Sequence, residues 1–154
     1  MSTTVIINKM DEAAEGAMAK SKYQWYIASE AIAKGDVVSL DLSKSDGNRA
    51  LYVVKADAAQ TTDSLPIGCA ALAAAAAGDK IKVCIAGYFE GANVDGATAQ
   101  GDLLQIGATA GRLDVRTTAI DEGGAATYNL LQIFACALEA DVANAADIWI
   151  YPQF

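Results

Sequence analysis

The sequence contains no histidine, only two prolines and few aromatic side chains, which make up 7% of its 154 residues. Histidine is the usual general base near neutral pH and the commonest metal ligand, so its absence argues against most catalytic and metal-binding sites. No run of 18 or more apolar residues is present, so we expect no membrane-spanning helix. Residues 1–5 do not form a basic stretch leading into an apolar one, so we also expect no secretory signal.

Basic residues are few and are concentrated in the first part of the chain. The formal net charge of −8 divides into zero over residues 1–34, −1 over 35–87 and −7 over 88–154, where nine acidic residues occur with two arginines. Binding of free nucleic acid needs a basic stripe, so we expect no nucleic acid partner. The simplest interpretation is an acidic, solubilising surface. The alternative is that the neutral N-terminal part docks on a partner while the acidic end faces solvent.

The three cysteines, Cys69, Cys84 and Cys136, are not spaced as a metal or redox motif. Each is flanked by apolar or small residues in a stretch that is typical of a strand. An odd number of cysteines in a chain without a predicted signal favours reduced thiols that pack as small apolar side chains.

The chain carries no recognisable catalytic or cofactor-binding motif, since it lacks phosphate-binding and dinucleotide-binding glycine loops. A loop starting at Asp41 is similar to a calcium loop, but Asp46 stands where glycine is required and Tyr52 where glutamate is required. Asp36 and Asp102 each follow a glycine, and we interpret them as turn residues that accept backbone N–H bonds. We therefore predict that the protein is not an enzyme and has no catalytic, cofactor or metal site.

One stretch of the chain occurs twice. Gly-Asp-Val-Val-Ser-Leu at residues 35–40 is followed 66 residues later by Gly-Asp-Leu-Leu-Gln-Ile at 101–106. The same offset places Leu72 on Leu138, and an offset of 67 places residues 81–83 on 148–150. This order predicts an internal duplication of a β module, in which both copies have the same strand order and bury Leu72 and Leu138 at equivalent places.

Short apolar stretches separated by glycine turns predict an all-β barrel or sandwich of roughly ten strands. We divide the chain into four parts. Residues 1–31 are an N-terminal arm that could form a short helix and ends in a lead-in strand. Residues 32–87 are β unit one, residues 88–97 are a linker rich in glycine and alanine, and residues 98–154 are β unit two.

Several short motifs of unit one occur in an order that resembles a known family. Gly-Asp-Val-Val-Ser-Leu-Asp is followed by Gly-Asn-Arg-Ala-Leu-Tyr-Val-Val, Ile-Gly-Cys-Ala-Ala-Leu, Ala-Ala-Gly-Asp-Lys-Ile-Lys-Val and Gly-Tyr-Phe, all within residues 31–89. This order is similar to that of the head-decoration, or capsid cement, proteins of tailed bacteriophages. The resemblance implies a β-barrel or β-tulip-like fold and binding across capsomer junctions.

The resemblance also implies a function and partners. It predicts a structural virion protein that is made in the host cytoplasm, binds the major capsid protein on the outer capsid surface and stabilises contacts between capsid subunits. We expect a homotrimer first and a dimer second.

The apolar residues Val5, Ile6 and Ile7 of the arm are our candidates for capsid docking, because an extended segment can add as a strand to an exposed sheet edge. The alternative function is a carbohydrate- or receptor-binding module of a phage fibre or tail. That module would need aromatic side chains exposed on one face, whereas Trp25 and Trp149 lie in strand patterns.

Overall fold

The protein is described by a computed structural model that covers residues 20–57, 66–116 and 133–152. The described chain is all-β, as predicted, and its only helical element is a 3₁₀ turn at Asp46–Ala50. The arm with its expected helix lies outside the described residues, apart from its last strand. The nine strands of the described residues are β1 (Lys22–Ala28), β2 (Val37–Leu40), β3 (Tyr52–Lys55), β4 (Pro66–Ala70), β5 (Lys80–Asp95), β6 (Leu103–Ile106), β7 (Leu113–Val115), β8 (Ala135–Ala137) and β9 (Ala145–Ile150).

The strands form two closed rings that share one strand. In the first ring β1 pairs with β3, then β2, β4 and β5, and β5 pairs back to β1. In the second ring β5 pairs with β7, then β6, β8 and β9, and β9 pairs back to β5. Strand β5 belongs to both because it is 16 residues long. The body is therefore two five-stranded barrels, which agrees with the barrel expectation.

The two barrels repeat the same pairing plan, as the duplication predicts. The first strand runs parallel to the third in both rings (β1 with β3, β5 with β7), and the other pairs are antiparallel. The register is repeated too, since Ser39 lies opposite Val54 in barrel one and Gln105 lies opposite Asp114 in barrel two. Cys69 and Cys136 occupy equivalent positions, because Cys69 pairs with Val37, the first residue of β2, and Cys136 pairs with Leu103, the first residue of β6.

The prediction of a linker at residues 88–97 is wrong, because β5 continues to Asp95 and pairs with β7 and β9. This half of β5 contains a register shift at Gly91, whose φ is +72°. Asp147 stabilises the irregular backbone by accepting hydrogen bonds from the Gly91 N–H (3.0 Å) and the Tyr88 hydroxyl (2.6 Å). A glycine-rich composition here therefore reflects a bulged strand. The equivalence of β1 and this half of β5 also means that each unit starts with a strand that lies before its predicted bounds of 32–87 or 98–154.

The prediction that Leu72 and Leu138 are buried is also wrong, since they are 47% and 37% exposed. Strands β4 and β8 end at Ala70 and Ala137, which are the residues that fill the barrels. The chain bends directly after them, so the following leucines lie on the surface.

Successive side chains of a strand point to opposite sides, and this alternation divides the buried residues between two cores. Val38 points into barrel one, where it packs with Val53, Ile67 and Ile81. Its neighbour Val37 points the opposite way and joins the core of barrel two. That second core is built around Leu104, Leu113, Phe134 and Ile148, all of which are fully buried. Burial of one such side chain contributes about 1.5–3 kcal/mol.

The repeated Gly-Asp motif is a turn, as we interpreted it. Gly35 and Gly101 have the same φ of +90°, a region that a residue with a Cβ occupies only under strain. Asp36 then accepts a hydrogen bond from the Ala33 N–H, and Asp102 accepts one from the Ala99 N–H, each at 2.8 Å. The Gly-Asp motif that indicated the duplication therefore forms the same turn directly before the equivalent strands β2 and β6.

Candidate interaction surfaces

The two barrels are joined by a contact that we call the junction. On the side of unit one it is formed by the outward-facing residues Val37, Cys69 and Cys84, which are 0% exposed. The Val37 N–H donates to the Gly111 carbonyl, and the Gly111 N–H donates to the Ala56 carbonyl, both at 2.8 Å. Main-chain bonds of this length require a close approach between the two units.

Small residues on unit two permit that approach. The Asn93 N–H donates to the Gly35 carbonyl at 3.0 Å, and the Asn93 side-chain amide donates to Asp36 at 2.8 Å. A Cβ on Gly35 would lie 2.6 Å from the Gly91 carbonyl oxygen, and a Cβ on Gly111 would lie 3.0 Å from the Asp36 side chain. Asp36 is buried and hydrogen-bonded here, so the junction holds the two barrels as one body.

An apolar groove of about 470 Å³ lies on the surface of unit one. It is lined by Trp25, Tyr26, Ile27, Leu51 and Lys80, and we call it the Trp25 groove. Trp25 is 61% exposed and Leu51 is 50% exposed. Trp25 lies in a strand, as its sequence pattern indicates, but that position did not argue against an exposed aromatic side chain, because it faces away from the barrel.

Unit two carries an apolar patch on its outer face. Leu103, Cys136 and Trp149 lie side by side on the adjacent strands β6, β8 and β9. Leu103 is 40% exposed and the other two are half-buried. We call these three residues the Leu103 patch.

A second groove, of about 510 Å³, is polar and is organised by Asp41. The hydroxyls of Ser29 and Ser43 each donate to this buried carboxylate at 2.5 Å, and the Lys44 ammonium lies 3.7 Å from it. Burial raises the pKa of Asp41, but the bonds from Ser29 and Ser43, with the charge of Lys44, outweigh it and lower the pKa below its ordinary 3.8. The carboxylate therefore holds a loop of unit one in place.

Replacing Asp41 with asparagine should destabilise the protein at neutral pH by about 1–2 kcal/mol, because two hydroxyl donors lose a charged acceptor. A carboxylate whose pKa is lowered by folding stabilises the fold above its unfolded pKa and loses that effect as pH falls through the folded value. The difference between wild type and Asp41→Asn, measured by urea unfolding, should therefore shrink towards about pH 2. An equal difference at both pH values would contradict this role of the charge.

All three cysteines are free thiols. Burial raises the pKa of Cys84 to about 11 and raises that of Cys69 well above its ordinary value. These two thiols are core side chains, as predicted, whereas Cys136 is only half-buried and belongs to the Leu103 patch.

Within the described ranges, no three His, Cys, Asp or Glu side chains lie close enough together to hold a metal ion. The described residues also include no helix that is long and apolar enough to cross a membrane. The docking candidates Val5, Ile6 and Ile7 lie outside the described residues. Sequence reasoning missed both apolar surfaces, since it took the strand positions of Trp25 and Trp149 as an argument against an exposed aromatic face and assigned no role to Leu51 or Leu103.

Neither a model of a known protein family nor a curated protein matches this chain.

Proposed function

We propose that the protein is a capsid decoration protein, which binds the outer surface of a tailed-phage head and stabilises contacts between neighbouring copies of the major capsid protein. The observation that carries the proposal is a body of two joined barrels that exposes apolar surface on each barrel, at the Trp25 groove and the Leu103 patch. Large exposed apolar side chains on a rigid β body are suited to protein–protein contact. The order of motifs in residues 31–89 supports the same assignment.

Such a protein must bind tightly although each copy offers a modest contact. Linking several copies solves this, because simultaneous binding of neighbouring sites can exceed single-site affinity by ~10²–10⁴. The acidic unit two, which holds most of the net charge of −8, is then suited to the solvent side of a particle.

The N-terminal arm supplies the anchor in this proposal. The described chain begins beside the end of barrel one, where the Ser21 hydroxyl donates to the Tyr88 carbonyl at 2.5 Å. The residues before it include Val5, Ile6 and Ile7, which can pair as a strand with an exposed sheet edge of the shell.

The test is binding to undecorated, expanded heads of the phage that encodes the protein, followed by sedimentation. Full-length protein should co-sediment with the heads. Ile6→Pro should bind much less, because proline removes a main-chain donor from the added strand, whereas the control Ile6→Val should bind like wild type. A chain that begins at Lys20, which keeps Ser21, should also fail to bind.

Equal binding of all four proteins would show that the arm is not the anchor. Absence of binding by the full-length protein would contradict the decoration proposal itself.

The exposure of Trp25 favours a second candidate function, a carbohydrate-binding module of a fibre or tail. An indole ring that is 61% exposed in a groove can stack on the apolar face of a sugar. Quenching of tryptophan fluorescence by host surface oligosaccharides, lost in Trp25→Ala, would support this candidate over decoration.

A further inference from the structure

The duplication gives most surfaces of unit one a counterpart on unit two. The junction covers three outward-facing residues of unit one, Val37, Cys69 and Cys84. The repeated register places Leu103, Cys136 and Trp149 at the same positions of unit two, which makes the Leu103 patch the counterpart of the covered face. Unit one therefore buries this face against a neighbouring barrel, whereas the same face of unit two is partly exposed.

The turns before β2 and β6 show the same difference. Gly35 and Gly101 share one backbone conformation. A Cβ on Gly35 would meet the Gly91 carbonyl at 2.6 Å, whereas a Cβ on Gly101 would have no atom of the described residues within 4 Å. Asp36 is buried at the junction, and its counterpart Asp102 is partly exposed.

The part of the junction that unit two contributes, which we call the receiving side, also has a counterpart on unit one. On unit two this side is formed by Gly91, Asn93 and Gly111, as described above. The parallel pairing of β1 with β3 and of β5 with β7 places Trp25, Ile27 and Leu51 at the same three positions of unit one. These three residues line the Trp25 groove, so the groove is the receiving side of unit one, and none of the described residues fills it.

We propose that a second copy of this chain docks on the first in a head-to-tail manner, with the Leu103 patch of one copy in the Trp25 groove of the next. The contact repeats the direction of the junction, so it joins two different faces and can close into a ring. Trp25 and Leu51 stand where the junction has glycines, so this contact is made by side chains and not by close main-chain bonds. A stable contact of this kind buries about 1,200 Å² or more in total.

The charges of the two surfaces are complementary. Lys80 lines the groove, and Lys82 lies opposite Trp25 in the β1–β5 register. The chain beside the Leu103 patch has two acidic residues, Asp102 next to Leu103 and Asp147 at the position that Lys82 has in unit one, and a basic residue, Arg116, whose N–H donates to the Leu103 carbonyl at 2.8 Å, so its net charge is opposite to that of the two lysines. Opposite charges around an apolar centre favour one orientation of two copies and disfavour contacts between like faces.

The mass of the protein in solution, by light scattering after size exclusion, tests this proposal. Wild type should exceed the chain mass of 15.9 kDa at micromolar concentration. Leu103→Asp, which alters the patch, and Leu51→Asp, which alters the groove, should each be monomeric with an unchanged circular dichroism spectrum. Leu72→Asp, at an exposed leucine outside both surfaces, is the matched control and should assemble like wild type.

A mixture of the two monomeric variants distinguishes head-to-tail docking from a symmetric contact. Leu103→Asp keeps an intact groove and Leu51→Asp keeps an intact patch, so an equimolar mixture should form a particle of twice the chain mass. A monomeric wild type, loss of assembly in only one variant, or a mixture that stays monomeric would each overturn the proposal. The test contains no capsid, so its outcome is independent of head binding.

Discussion

Replacing Gly35 with alanine should lower the free energy of unfolding by about 3 kcal/mol, whereas the same change at Gly101 should cost about 1–2 kcal/mol. Both glycines have a φ of +90°, so an alanine at either position is strained by about 1–2 kcal/mol. Only at Gly35 does the added Cβ meet a carbonyl oxygen, that of Gly91, at 2.6 Å. Overpacking against backbone adds about 1–3 kcal/mol, and it acts directly on the junction.

Urea unfolding of the two alanine variants measures this difference. The pair is well matched, because the two glycines begin equivalent strands and are each followed by an aspartate in the same turn. Equal destabilisation would mean that the junction does not hold the two barrels as closely as the distances at Gly35 indicate.

Leu104→Ala should destabilise the protein by about 2–5 kcal/mol, because Leu104 is 0% exposed in the core of barrel two and its removal leaves a cavity. The control is the same substitution at Leu72, which is 47% exposed and should change stability by less than about 0.5 kcal/mol. Thermal or urea unfolding of both variants provides the comparison.

This pair separates the observed fold from the one that a simple sequence offset predicts. The offset of 66 residues made Leu72 and Leu138 the paired core positions, and on that basis Leu72→Ala would be the costly change. A large loss at Leu72 with a small loss at Leu104 would contradict the arrangement of the cores.

The sequence was sufficient for the all-β class and the duplication, because Gly35-Asp36 and Gly101-Asp102 are needed for the same turn in both units. It was insufficient for the first strand of each unit. Strand β1 contains Trp25 where the equivalent half of β5 contains Gly91, since one surface is open and the other is covered by the junction. Because the two strands have different surroundings, they carry different side chains, so the sequence of β1 does not recur in β5.

The alignment of the later strands failed for a different reason. The connection from β8 to β9 is two residues shorter than that from β4 to β5, so the offset changes between strands. The two apolar surfaces could not be predicted either, because an apolar residue in a strand can face a core or a surface, and only the closed rings determine which. Val37 and Leu103 occupy equivalent positions, and the difference in their burial identifies the Leu103 patch as the exposed equivalent of the junction face.

The most direct test of the proposed function is the location of the protein in purified virions, by electron cryomicroscopy of the heads with antibody labelling. The decoration proposal predicts copies of the protein on the outer head surface, at sites where neighbouring capsid subunits meet. Label on a fibre or tail, or purified particles that contain none of the protein, would contradict it.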